Sequence, residues 1–241
     1  MNIIRPGVFD RSVISAVSTR AGGVSPGAFG LNLSYSVGDD SANVTKNREI
    51  FFGSLSIGTG ELAIPRQVHG ATVMQVHSPG IYDSLDGLFT DRRRLFLCVT
   101  VADCVPLLLH APDIPAVAAV HAGWKGTVAR IAAQTVSEMV EELSCDPSLM
   151  HAYIGPAASV CCYQVGEEVA KQFDERFVRR TNISRFVDLK AANYDQLCEA
   201  GIPPEHIEVS PACTIEESSL FHSFRRDGKQ SGRMMGVIGL A

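Results

Sequence analysis

The chain has 241 residues, 46% of them apolar and 20% charged, enough to bury a sizeable core and unlike a disordered or fibrous protein. A formal net charge of −5 argues against non-specific binding to nucleic acid or to an anionic membrane surface, because phosphate contacts need a basic face. Seven cysteines, an odd number that includes the adjacent pair Cys161-Cys162, do not make a secreted disulfide framework and fit a reducing cytoplasm.

The start, Met1-Asn2-Ile3-Ile4-Arg5-Pro6-Gly7, lacks the pattern of a signal peptide, and no apolar stretch reaches the length needed to span a bilayer. Residues 13–18 read as a strand running into the turn-rich segment 20–27. Residues 95–101 and 105–110 are apolar runs rich in β-formers, separated by the short polar break Ala102-Asp103-Cys104. Residues 116–121 form another buried strand, ending at Ala122-Gly123-Trp124-Lys125-Gly126. A helix follows, in which Val128, Ile131, Ala132, Val136, Met139, Val140 and Leu143 recur at the helical period and Thr127 is the N-cap. A second amphipathic helix starts after Gly166, with Val169, Phe173 and Phe177 on one side. A short helix at 193–200, a strand at 207–210 and a terminal strand at 235–240 complete the pattern. No repeat or linker divides it, so the expectation is a single domain over 1–241. Its class is α/β (α+β), a layered sandwich of mixed β-sheets flanked by helices.

Three ligand-type residues fall at strand ends or breaks: His69 in Gln67-Val68-His69-Gly70, Cys104 in Ala102-Asp103-Cys104, and His121 before Ala122-Gly123-Trp124. Two imidazoles and a thiolate suit zinc, and three protein ligands with an open fourth position are the catalytic pattern. Their wide spacing leaves a second reading open, that of three buried polar residues satisfied by backbone groups. His77, His110, His151 and His206 have no companion pattern. The loop from Gly123 to Gly126, with Lys125, is either an anion site at a helix N-terminus or a tight strand-to-helix turn. Phe224-Arg225-Arg226-Asp227-Gly228 is either a hairpin turn with solvated charges or a clamp for phosphate or carboxylate, and Arg20 and Arg48 raise the same possibility.

Taken together, the segments resemble the peptidoglycan-editing-factor family, also called the laccase-domain or polyphenol-oxidase-like family. The matching pieces begin with Ser18-Thr19-Arg20-Ala21-Gly22-Gly23, Leu31-Asn32-Leu33-Ser34, Asn47-Arg48, Gln67-Val68-His69-Gly70 and Asp86-Gly87-Leu88-Phe89. They continue through Ala102-Asp103-Cys104-Val105-Pro106, His121-Ala122-Gly123-Trp124, Ile154-Gly155-Pro156, Cys162-Tyr163-Gln164-Val165-Gly166 and Asp188-Leu189-Lys190 to Phe224-Arg225-Arg226-Asp227-Gly228 and Ser231-Gly232-Arg233. They span nearly the whole chain in order. Two departures stand out: Ala157 replaces the usual cysteine after Ile-Gly-Pro, and Gly239 replaces a tryptophan near the end.

The resemblance implies a zinc ion on His69, Cys104 and His121. It also implies phosphorolysis of adenosine, inosine, guanosine or methylthioadenosine, deamination of adenosine, and a link to editing of peptidoglycan precursors. Purine nucleoside and phosphate are then the small-molecule partners, with no nucleic acid or membrane, and no protein partner is inferred. Expected catalytic residues are Cys104, Asp103 and His121, with Asp103 moving a proton during deamination. Expected substrate-binding residues are Arg20, Asn32, Arg48, Lys125 and Arg225, with Arg48 or Arg225 on phosphate. Copper, which the family's older label suggests, is disfavoured because the seven histidines include no His-x-His pair. Two rivals remain: a cysteine hydrolase with Cys104 as nucleophile and His121 as base, acting on a peptidoglycan precursor, and a non-catalytic nucleotide-binding module.

Overall fold

The computed structural model describes residues 2–241, and two six-stranded sheets hold most of its strands. One runs from edge to edge as Ile3–Ile4, Val13–Ser18, Met234–Leu240, Phe96–Val101, Leu62–Arg66 and Gly80–Asp83. The other runs as Ile207–Val209, His151–Ile154, Val105–Ala111, Ala116–Ala122, Gly87–Thr90 and Val73–Gln75. Both mix parallel and antiparallel neighbours. A three-stranded sheet of Gln164–Val165, Arg185–Val187 and Val178–Arg180 packs beside the second through Val178 and Val187.

The period of two along each strand decides the layering. In Ala116–Ala122, Val117 and Ala119 meet Leu97, Val99 and Ile238 of the first sheet, so these residues form the seam between the sheets. The alternate residues Ala118, Val120 and Ala122 face the helix Ile131–Leu143 through Ile131, Val136 and Met139. On the other side, Phe96, Cys98, Met235 and Val237 turn outward onto Phe51 and Phe52 of the helix Ser41–Gly53. Helix, sheet, sheet and helix make the expected mixed-sheet sandwich.

Several expected elements shift. The runs at 95–101 and 105–110 are strands, at Phe96–Val101 and Val105–Ala111, but they lie in different sheets. The break Ala102-Asp103-Cys104 is therefore where the chain crosses between layers. The helix expected from Thr127 starts earlier, as Trp124–Val128 with Gly123 at its N-cap, and Arg130 in the left-handed region (φ 61°) separates it from Ile131–Leu143. Thr127 is buried, and its hydroxyl accepts a hydrogen bond from Asn193 Nδ2 at 2.9 Å instead of capping. The helix after Gly166 ends at Ala170, and Phe177 belongs to a separate turn, Glu175–Phe177, capped by Asp174. The late helix is longer than expected, Leu189–Glu199, capped by the Asp188 carboxylate. Helix Ser41–Gly53, capped by Asp40, was not foreseen, because its apolar residues do not keep one helical face.

Gly239 has a packing reason. A Cβ there would overlap the ring of Phe96, which is fully buried on the neighbouring strand of the same sheet. A tryptophan has no room in this core. Gly239→Ala is expected to cost about 1–3 kcal/mol by overpacking, and adding Phe96→Leu should recover part of it. Urea denaturation of both variants measures this; an unchanged midpoint for Gly239→Ala would contradict the packing argument.

Candidate metal centre and cleft

Three chain segments meet at one rim of the sandwich. Leu62–Arg66 leaves the first sheet and runs directly into Gln67-Val68-His69. Gln67 extends the ladder with its side chain: its amide group bonds the Thr100 carbonyl, while its oxygen accepts from the Thr100 amide and hydroxyl, each at 2.8 Å. The interlayer crossing supplies Cys104, and Ala116–Ala122 supplies His121. The ligand atoms of His69, Cys104 and His121 lie within 4.8 Å of one another. The two imidazole rings are nearly perpendicular, 88° apart, with centroids at 4.8 Å.

Asp86 organises this cluster. It is fully buried, and its carboxylate accepts from the backbone amides of Val68, His69 and Gly70 at 3.2, 3.0 and 2.7 Å. The same carboxylate bonds His121 Nδ1 at 2.8 Å, which leaves Nε2 of that ring for a ligand role. His69 has φ 60°, a left-handed conformation unusual for a residue with a side chain. The three amide bonds to Asp86 hold it there. Burial opposes the charge on Asp86, yet the bonds from His121, Gly70 and Val68 keep its pKa below the ordinary carboxylate value.

The donors fit a metal ion. A Cβ at Gly123 would come within 3.2 Å of Cys104 Sγ, 3.4 Å of His69 Cδ2 and 3.7 Å of His121 Cε1, so this glycine keeps the centre of the cradle clear. Burial raises the Cys104 pKa, but the charge of His121 and hydrogen bonds from both histidines bring it down to about 6. Burial lowers the His121 pKa, and Cys104 and Asp86 together push it up to about 9. Without a metal, the pair is a thiolate beside an imidazolium at neutral pH.

The cradle opens into a cavity of 840 Å³, within the range of pockets that take small molecules. Arg48, Arg225 and Arg233 line it, with Tyr35, Trp124, Tyr163 and Phe224. Arg48 bonds the Leu33 carbonyl through Nε at 2.8 Å and lies 4.5 Å from the Tyr35 ring centroid. Arg233 is anchored to the Ser231 and Gly232 carbonyls through one nitrogen, and Arg225 to Gln164. None of the three makes an ion pair among the described residues. Burial lowers the pKa of Arg48 and Arg233, which marks both as desolvated cations.

The other expected residues have different places. Asp103 borders the cavity in a left-handed conformation (φ 86°), and both carboxylate oxygens are engaged, by Thr214 Oγ1 at 2.8 Å and the Arg225 amide at 2.6 Å. Arg20 does not line the cavity; its guanidinium ties the carbonyls of Ser218 and Ala28. Asn32 is fully buried and fixes the amides of Ser34 and Arg233. Lys125 is exposed outside the cleft, 5.7 Å from the Trp124 ring centroid. Residues 224–227 form a helical turn, neither hairpin nor free strand. Asp86 and Arg233 were not foreseen as site residues; their position in the matching motifs was the one available signal.

A mixed-sheet sandwich with a His-Cys-His cradle opening on an arginine-lined cleft defines the class of protein. The chain belongs to the multi-copper polyphenol oxidoreductase laccase family, whose model matches residues 14–241. It is 40% identical over 234 residues to a purine nucleoside phosphorylase of Deinococcus radiodurans, covering 95% of this chain and 90% of that protein. A protein named adenosine deaminase RL5, from an unknown prokaryotic organism, is 33% identical over 85% of this chain and 84% of its own length. The crystal structure of YlmD from Geobacillus stearothermophilus superposes with a TM-score of 0.93 at 35% identity, covering 98% of this chain and 94% of that one.

Two outcomes test the centre. Asp86→Asn keeps the shape but weakens the acceptor, and is expected to lower metal affinity about 10–100-fold in chelator competition. In metal-free protein, iodoacetamide should alkylate Cys104 with a midpoint near pH 6, because the thiolate persists above its lowered pKa. A midpoint near the ordinary thiol value, read by mass spectrometry, would contradict the thiolate–imidazolium pair.

Proposed function

We propose that the protein is a zinc-dependent purine nucleoside phosphorylase that also deaminates adenosine. Adenosine, inosine, guanosine and methylthioadenosine are its substrate class. The reading rests above all on one observation: desolvated arginines without carboxylate partners face the same cavity as the His69, Cys104 and His121 cradle. A buried guanidinium lacking a counter-charge is costly, and a phosphate anion would offset that cost. Tyr35, Tyr163, Trp124 and Phe224 give a purine flat apolar surfaces in the same cavity. The names carried by the relatives support the same reading.

His69, Cys104 and His121 would hold the zinc, which supplies Lewis acidity and brings the pKa of a bound water toward ~7. The chain's own groups do the positioning. Arg48 and Arg233 hold phosphate against C1′ of the ribose and neutralise charge as the glycosidic bond breaks. Arg225, 5.0 Å from the Tyr163 ring centroid, forms the wall over the nucleoside. Asp103 acts as a positioning residue, since its oxygens already hold Thr214 and the Arg225 amide. Zinc is preferred to copper on the donor set. No methionine lines the cavity to serve as an axial copper ligand, and among the described residues the other ligand cluster contains no histidine.

One observation favours a second reading. Cys104, His121 and Asp86 also form a thiolate–imidazole–carboxylate series, as a cysteine hydrolase acting on a peptidoglycan precursor would need. Incubation with adenosine, with and without phosphate, separates the two. Adenine is expected only with phosphate and inosine without it, and both should cease after chelation and return with zinc. Arg48→Ala should lower phosphate-dependent adenine release roughly 10²-fold while leaving deamination within a few-fold. Turnover indifferent to chelator, with a trappable acyl-enzyme, would overturn the zinc reading.

A further inference from the structure

A second cluster of ligand atoms lies outside the cradle. Cys161, Cys162, Cys213 and Glu216 bring three sulfurs and a carboxylate oxygen within 4.8 Å of one another. Cys161 and Cys162 sit on the turn that starts at Ser159, whose carbonyl accepts from the amides of Cys162 and Tyr163. Cys213 and Glu216 sit on a second turn, closed by a bond from the Cys213 amide to Glu217 Oε1 at 2.9 Å and one from the Glu217 amide back to the Cys213 carbonyl at 3.0 Å. A single parallel bridge, Ala157 to Cys213, joins the two turns.

We propose that these four residues form a closed, structural site for a soft divalent cation, zinc in the first place. The sulfurs of Cys161 and Cys213 are 3.7 Å apart. That is far beyond the ~2.05 Å of a disulfide. It matches the edge of a thiolate tetrahedron, about 3.8 Å for Zn–S bonds of about 2.3 Å. Four protein ligands with three thiolates make a closed structural set, in contrast to the open three-ligand cradle. Three thiolates and a carboxylate around a divalent ion leave excess negative charge, and cations stand by to balance it. Lys190 is buried, with its ammonium on the carbonyls of Ser210 and Ala212, and Arg179 bonds the carbonyls of Val160 and Cys161.

The position gives the site a purpose. Cys162 precedes Tyr163, which lines the substrate cavity. Cys213 precedes Thr214, whose hydroxyl holds Asp103 next to Cys104. A metal clip between these turns fixes both the wall and the floor of the cleft.

Zinc stoichiometry of the full-length protein tests this. His69→Ala/Cys104→Ser, which dismantles the cradle, should retain one zinc per chain. Adding Cys161→Ser/Cys213→Ser should remove it, with circular dichroism confirming a folded chain. On an intact cradle, Cys161→Ser/Cys213→Ser should leave one zinc; none there would refute the cradle and not the clip. Cobalt substitution of the unaltered protein gives a readout independent of the cradle variants. Its thiolate charge-transfer band should fall to about a quarter in Cys161→Ser/Cys213→Ser, since one of four ligand thiolates remains. No zinc in His69→Ala/Cys104→Ser, zinc that survives loss of Cys161 and Cys213 there, or a Cys161–Cys213 disulfide with no bound metal would each overturn the proposal.

Discussion

The buried carboxylate of Asp86 is the constraint on which the site depends. An isolated carboxylate in such a place would be expensive, but this one accepts three consecutive backbone amides and an imidazole. The arrangement works in both directions. The amides stabilise the charge, and the charge holds His69 in a left-handed conformation that its side chain disfavours. Asp86 lies just before strand Gly87–Thr90, and its carbonyl also accepts the His121 amide at 2.7 Å. One residue therefore sets the positions of two of the three cradle side chains, from the second sheet, although His69 arrives from the first.

Asp103 plays the corresponding part on the other side of Cys104. The chain must cross between layers in three residues, and a left-handed residue makes that turn possible. The carbonyl of Asp103 accepts the Ala158 amide at 2.9 Å, while its side chain reaches Thr214 and Arg225. The crossing is thus tied to three distant segments. Cys104 follows this anchored crossing directly, and its thiol lies beside both cradle histidines.

Unbroken apolar runs made these strands and the layered class legible, because burial on both faces leaves 105–111 and 116–122 almost wholly apolar. Strand partners were not legible: nothing local says that 96–101 and 105–111 part company into different sheets. The cradle residues stood out as ligand types at strand ends or breaks, but they sit on three separate segments with no short ligand pair, and only the whole-chain motif order joined them into one site. Asp86 was hidden because its partners are mainly backbone amides, which leave no side-chain signature at 68–70. Arg20 and Arg48 looked alike in the sequence. Geometry separates them: the guanidinium of Arg20 is spent on two loop carbonyls, while Arg48 gives up only Nε and keeps its outer nitrogens for the cleft.

The Arg225-Arg226 pair shows how an acidic protein keeps a cationic cleft. Arg226 is fully used: its guanidinium bonds Asp227 and the carbonyls of Thr214, Ile215 and Phe221. Its neighbour escapes that fate because Asp103 takes the backbone amide of Arg225 and not its guanidinium. A carboxylate that near would otherwise form a bidentate pair and cancel the charge. Binding the amide positions Arg225 and leaves its side chain cationic, stacked toward Tyr163. With Arg48 and Arg233 likewise unpaired, positive charge gathers where an anion can enter, while the acidic excess lies elsewhere on the chain. Where burial removes water, at Arg48 and Arg233, that separation makes a guanidinium a stronger anchor for any anion than a solvated arginine would be.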